Sequence, residues 1–206
     1  MRKKSHAIKR AALAVVAVVG LMSMSAIAQE FRSEISAVGT GFFTKDANGN
    51  GIRDNATNTG GFLVGYRYNF TRWLSAEANY GYDRNTQRYF GSTTGRVQTN
   101  IHTVTGSAVV KLPTVAKLQP YVLGGGGALV FDPTDKSGGS FVGATWQAKG
   151  TFVYGGGADY AISKHFSARA EYRGYVYKAP DFSLTSLKTD AWTHVAAPSA
   201  GVVYHF

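Results

Sequence analysis

The sequence predicts an all-β fold, an eight-stranded antiparallel up-and-down transmembrane β-barrel. Three observations predict it. Eight runs of period two cover residues 32–44, 60–71, 73–83, 98–112, 119–131, 148–162, 166–177 and 192–206. The connections between them alternate strictly between short and long. The last run stops on an aromatic, with Ala200, Val202, Tyr204 and Phe206 on one face. A soluble sheet gains little from ending on an apolar edge strand, whereas a strand in lipid gains from each of these side chains.

The start of the chain agrees. Arg2, Lys3, Lys4, Lys9 and Arg10 precede a short apolar run, 11–21, which Ser25, Ala26, Ile27 and Ala28 follow. That is the pattern of a secretory signal peptide. The run is well short of the ~20 residues a membrane-spanning helix needs. The expected organisation is a signal peptide, 1–28, and one barrel domain, 29–206. The full chain carries 22 basic and 12 acidic residues, net +10. Without the five basic residues of the leader, 17 against 12 remain, net +5. Modest, dispersed charge on an exported chain argues against a nucleic-acid partner. There is no cysteine, so no disulfide staples the fold. A closed sheet in lipid needs none, because every backbone group is paired and no edge remains.

Each element follows from the same pattern. The short connections are 71–73, 113–118 and 163–165, and the long ones are 45–59, 84–97, 132–147 and 178–191. Short turns on one side and long loops on the other suit a transmembrane barrel better than its rival, a soluble lipocalin-like barrel. The second run places Phe62, Val64, Tyr66, Tyr68 and Phe70 on one face, and the third Leu74, Ala76, Ala78, Tyr80 and Tyr82. The sixth aligns Phe152, Tyr154, Ala158, Tyr160 and Ile162, and the seventh Phe166, Ala168, Ala170, Tyr172 and Val176. Aromatics gather near strand ends, as in interfacial girdles. The first and fourth runs have no clear phase. In the fifth and sixth, Gly124, Gly126, Ala128, Gly155 and Gly157 are assigned to the inner face, where they leave space.

The opposite faces carry Arg67, Asn69, Glu77, Asn79, Asp159, Arg169, Glu171 and Arg173. An Arg facing mid-bilayer lipid costs ~2–4 kcal/mol, so these residues must point inward. Residues equidistant from a hairpin's turn centre face one another. Arg67 and Glu77 each lie five residues from Arg72, and Asp159 and Arg169 each lie five from Lys164. The spacing predicts two acid–base pairs, with Glu171 bridging Arg169 and Arg173. Eight strands enclose a lumen that side chains just fill, so the network predicts a polar plug rather than a wide pore.

Two further patterns bear on chemistry. Asp46, Asn48, Asn50, Gly51 and Asp54 have the spacing of a calcium loop, but Thr57 stands where the closing Glu belongs. The expectation is a weak Ca2+ site or an ordinary Gly/Asn-rich turn. No other cofactor is implied, and His102, His165, His194 and His205 lack metal-ligand spacing. An enzyme would need Ser and His from different strands, such as His102 with Ser107 or Ser167. No His-Ser motif supports this, and no enzyme is expected.

The leader, the eight-strand rhythm, the stretch 121–131 and the terminal Tyr204, His205 and Phe206 together carry a resemblance. The chain resembles the small bacterial outer-membrane β-barrel superfamily, with the architecture of the transmembrane domain of outer membrane protein A. The resemblance implies an outer-membrane monomer in contact with membrane lipid and lipopolysaccharide. It also implies recognition by the barrel assembly machinery through the C-terminal strand, with Tyr204 and Phe206 as the assembly signal. The expected role is structural or surface-binding. The long loops, which include Tyr89, Phe90, Phe141 and Trp146, would meet an extracellular ligand the sequence does not name. The alternatives are a narrow porin for ions or small solutes and a lipid-modifying enzyme.

Overall fold

The computed structural model describes residues 32–91, 94–134 and 144–206. The expected signal peptide and Phe141 lie outside the described residues. The strands are β1 (Ser33–Thr44), β2 (Ala47–Gly49), β3 (Ile52–Ala56), β4 (Thr59–Asn69), β5 (Leu74–Phe90), β6 (Gly95–Lys111), β7 (Leu118–Pro133), β8 (Gln147–Ala161), β9 (Phe166–Lys178) and β10 (Trp192–His205), with a 3-10 turn at Thr185–Leu187. Pairing runs β1, β4, β5, β6, β7, β8, β9, β10 and back to β1, antiparallel throughout. This is a closed eight-stranded barrel. Its seam is β1 against β10, where the Phe206 amide donates to the Ser33 carbonyl at 2.9 Å.

The short turns follow β4, β6 and β8 and share one rim with both ends of the barrel chain. Two of them use one local device. The Thr71 hydroxyl accepts the Trp73 and Leu74 amides at 3.2 and 3.0 Å, and the Ser163 hydroxyl accepts the Phe166 amide at 3.1 Å. A hydroxyl at the head of the turn replaces the backbone partners that the reversal removes.

Outside the barrel, aromatics form two belts. Near the short-turn rim, Tyr68 meets Phe70 with ring centres 5.3 Å apart and Phe166 meets Tyr204 at 5.2 Å. Toward the loop rim, Phe62 meets Tyr82 at 5.9 Å and Tyr82 meets His102 at 5.3 Å. Leu74 and Tyr82 mark the two levels on β5, eight residues apart. At ~3.4 Å per residue and a tilt of ~40° this spans ~21 Å, close to the ~25 Å apolar band of such barrels.

Two expectations need correction. Segment 84–97 is not a polar loop: β5 runs to Phe90 and β6 begins at Gly95, paired down to Tyr89 with Gly95. The inner positions there include Asn85 and Gln87, so alternation persists without the apolar contrast that makes it visible. Segment 45–59 likewise holds the β2–β3 hairpin, which extends the wall by pairing Arg53 with Phe90 and Ala56 with Gln87. The phase of β7 is also opposite to expectation. Tyr121, Leu123, Leu129 and Phe131 are buried inside, and Gly124, Gly126 and Ala128 face outward; the inner glycines are Gly125 and Gly127. Both faces of β7 are apolar, so its alternation carries no sign. Gly155 and Gly157 are inward as expected.

Candidate functional site

The lower lumen, near the short-turn rim, is filled by charge. The register places Arg67 opposite Glu77 and Asp159 opposite Arg169. Arg67 Nε donates to Glu77 Oε2 at 2.6 Å. Arg169 grips Asp159 with Nε and Nη2 at 2.7 and 2.8 Å, a bidentate fork. The two pairs merge across the lumen: Arg67 Nη1 lies 3.3 Å from Asp159, and Arg169 Nη1 lies 3.4 Å from Glu77. Arg173 bonds Glu171 and also Glu77. All of these side chains are buried.

Glu171 does not bridge Arg169 and Arg173. It takes Arg173 and accepts the Tyr121 hydroxyl at 2.7 Å. Both arginines stand two residues from Glu171 on β9, but the fork of Arg169 is occupied by Asp159 directly opposite, which leaves Glu171 to Arg173. Glu77 is the true bridge, shared by Arg67, Arg169 and Arg173.

Sequence reasoning missed three members. Glu34 on β1 holds Lys111 at 2.6 Å and approaches Arg67 and Arg169 at 3.5 Å. Lys111 closes the lower end of β6. The Tyr121 ring lies under Arg67, 4.4 Å from Cζ to the ring centre, and within 5.4 Å of Arg169. Gly157 admits this ring, since a Cβ there would lie 2.7 Å from the Tyr121 hydroxyl oxygen. The missing signal was phase: β1 and β6 gave no clear inner face, and β7 was assigned the opposite one. With these members, Glu34, Glu77, Asp159 and Glu171 balance Arg67, Lys111, Arg169 and Arg173.

The upper lumen is different. Phe42, Tyr89, Ile101, Leu129, Phe131, Tyr177 and Val195 are buried together there, and Phe182 and Leu187 from segment 179–191 pack into the same cluster. Phe182 and Ser183 have φ of 50° and 64°, a left-handed backbone that bulky residues rarely adopt. The segment is tied down: Tyr89 donates to the Pro180 carbonyl at 2.8 Å, and Gln147 donates to Asp181 at 2.7 Å and accepts the Phe182 amide at 3.2 Å. Burial pushes the Asp181 carboxyl up, but the Gln147 amide, the Ser183 amide and Lys149 outweigh it, so its pKa is lowered. Between the two zones, Asn79 Oδ1, Asp83 Oδ1 and the hydroxyls of Thr103, Thr105 and Ser107 find no hydrogen-bond partner within the described residues.

The expected calcium ligands do not converge. Asp46 faces outward, held by Arg53 at 2.6 Å and Asn55 at 2.6 Å. Asp54 faces inward beside Tyr89 and is buried. Asn50 donates to the Lys188 carbonyl, and Asn48 is exposed opposite Arg53. Hairpin alternation separates the two acids. Burial, helped by nearby Asp46, raises the Asp54 carboxyl well above the usual range, and the Asn55 amide and Arg53 hold Asp46 low.

His102 meets neither Ser107 nor Ser167, because it faces outward on Tyr80 at 2.8 Å. Ser167 instead lies 2.9 Å from His205 Nε2, above a cavity of about 280 Å³ lined by Lys111, Lys117, Lys164 and Asp159. Glu34 is 3.8 Å from His205 Nδ1, and its Oε1 already accepts Lys111 and Asn69. That oxygen is beyond hydrogen-bond reach of the ring, so the carboxylate does not orient the histidine as a catalytic relay requires. Tyr204 and Phe206 point outward on the closing strand.

Comparison with known proteins decides the family. A model of the outer membrane protein β-barrel domain matches residues 14–206. The chain belongs to this family. It is a protein of the bacterial outer membrane, so the short-turn rim is periplasmic and the loop rim extracellular. No curated protein matches it. Among solved structures it is similar to Ail, the attachment invasion locus protein of Yersinia pestis, in complex with the heparin analogue sucrose octasulfate. That match has 21% identity and a TM-score of 0.54, covering 86% of this chain and 100% of Ail. OprG of Pseudomonas aeruginosa matches at 14% identity and a TM-score of 0.58, covering 86% of this chain and 97% of OprG. Neisserial surface protein A matches at 13% identity and 0.57, covering 87% and 100%. At these identities the likeness is one of fold.

Proposed function

We propose that this barrel is a monomeric, non-enzymatic envelope protein with a sealed lumen and a ligand-binding extracellular surface. The observation that supports this reading is that two unlike sets of packed side chains occupy one lumen. Below, four acids and four bases fill the section between β1, β4, β5, β6, β8 and β9. Above, Phe182 and Leu187 sit in the mouth with no exposed surface. Holding Phe182 at positive φ costs of order 1 kcal/mol or more, which only a packed position offsets. A sealed barrel has its extracellular rim left for function, which suits surface recognition. The polyanion bound by Ail makes an acidic saccharide a reasonable ligand class here. Tyr204 and Phe206 would serve assembly rather than recognition.

Conductance of the refolded chain in a planar bilayer tests the reading. The expected result is no steady current from folded protein. A steady current altered by Arg169→Ala would replace it with the narrow-porin reading. One observation favours that second reading: the unpartnered Asn79, Thr103, Thr105 and Ser107 atoms form a hydrophilic wall between the two sets.

A further inference from the structure

The periplasmic mouth of the lumen holds a cavity of about 280 Å³. Lys111 and Asp159 of the charge network form its floor, and Ser167 and His205 stand at its side. The charges of the floor are satisfied by one another. Lys111 Nζ lies 2.6 Å from Glu34, and both oxygens of Asp159 accept arginine N–H groups. Two further cations line the cavity outside that balance. Lys117 and Lys164 stand on the turns after β6 and β8, and both are exposed. Among the described residues neither forms an ion pair, and no exposed acid stands on the short-turn rim to offset them.

The turn that carries Lys117 is unusual. Val115 and Leu118 exchange both backbone hydrogen bonds at 2.9 Å, which makes a two-residue hairpin. Its central residues, Ala116 and Lys117, have φ of 47° and 70°. Such turns ordinarily take Asn and Gly there, because a Cβ is disfavoured at positive φ. The turn is also fastened sideways: the Lys117 carbonyl accepts the Ala161 amide at the end of β8, at 2.9 Å. Backbone strain held in place by its surroundings gathers at ligand sites. The result brings Lys117 and Lys164, from separate hairpins, to one cavity. Arg72, the cation of the remaining short turn, is not among its lining residues.

We propose that this cavity binds the phosphate group of a small soluble periplasmic solute, with Lys117 and Lys164 as its charged ligands. Lysine ammonium groups are point charges that suit a rounded tetrahedral anion, whereas the planar fork of arginine matches a carboxylate. Ser163 supplies a neutral donor, since its oxygen accepts the Phe166 amide and its proton remains free. The volume lies near the lower end of small-molecule sites, ~300–1,000 Å³, and suits a solute rather than a polymer. The cavity lies inside the ring of strands. A phospholipid, whose acyl chains lie outside the wall, would have to carry its headgroup across the rim to reach it. The site is separate from the extracellular surface and does not depend on recognition there.

The test titrates inorganic phosphate into the refolded mature chain in non-ionic micelles at constant ionic strength. NMR amide shifts of 114–118, 163–167 and 205 report binding. Wild type should saturate, and acetate should bind more weakly. Lys117→Gln/Lys164→Gln should weaken phosphate binding at least about tenfold, because two charged hydrogen-bond donors are lost. Both side chains are exposed at turns, so the variant should fold as wild type does. Arg72→Gln, also on the rim, should leave the affinity unchanged. Equal binding by wild type and the double variant would overturn the proposal. An equal loss in Arg72→Gln would overturn it too, by showing that diffuse rim charge gathers the anion. A bilayer containing phosphatidylglycerol, without added phosphate, separates the sources. Lysine-dependent shifts there, with none from inorganic phosphate, would assign the two lysines to lipid headgroups instead.

Discussion

The two halves of the lumen are lined and packed by opposite chemistry. The periplasmic half uses buried ions drawn from facing strands. The extracellular half uses aromatic and aliphatic side chains, two of them delivered by segment 179–191. The difference teaches where each solution is available. Between the belts, strand register is fixed by the barrel itself, so charges meet at set positions and satisfy one another. Above the upper belt a connecting segment can fold inward, and burying Phe182 needs no register at all. Removing one ion strands its partners, whereas removing one apolar lid residue only frees the lid.

The largest effect should come from Glu77→Ala. It leaves Arg67, Arg169 and Arg173 without their shared carboxylate and should cost about 3–5 kcal/mol in denaturant unfolding. A cost near zero would mean that the network is dispensable and the two halves are energetically alike. Phe182→Ala should come next, losing about 3 kcal/mol of local packing. Hydrogen exchange in 179–191 should quicken while the global unfolding midpoint holds, since the lid is not part of the wall. A matching fall in the midpoint would show that lid and barrel unfold as one unit.

A pH titration sharpens the comparison further. Asp54, under the lid beside Tyr89, has a raised carboxyl pKa. The folded state therefore keeps a proton that the unfolded state releases above about pH 4. The stability of the β2–β3 hairpin should be greatest in acid and fall as pH rises toward the folded pKa. Asp54→Asn should flatten that slope, as read by NMR signals of 47–56. The smallest effect should be Asp46→Asn, which removes an exposed ion pair with Arg53 and should cost under about 1 kcal/mol in hairpin stability.

Much of the wall was legible because lipid imposes a sign on alternation. β4, β5, β8 and β9 each set apolar residues against polar ones, and the turn centres at Arg72 and Lys164 gave the facing pairs. β7 was misread because both of its faces are apolar. Segment 84–97 was misread because its inner side is polar, and Glu34 was missed because β1 mixes small residues on both faces. The Glu171 expectation failed for a different reason: Asp159, directly opposite, takes the fork of Arg169 and leaves Glu171 to Arg173.

By itself, the sequence determined the barrel, its strand number, its two rims and the register of two hairpins. These depend on local periodicity and turn chemistry, which neighbouring residues encode. Only the tertiary structure decided which carboxylate bridges three arginines, that Tyr121 lies beneath them, that Phe182 turns into the mouth, and that Lys117 and Lys164 line one periplasmic cavity. Those arrangements bring together residues far apart in the chain. They are set by closure of the sheet, which no single strand records.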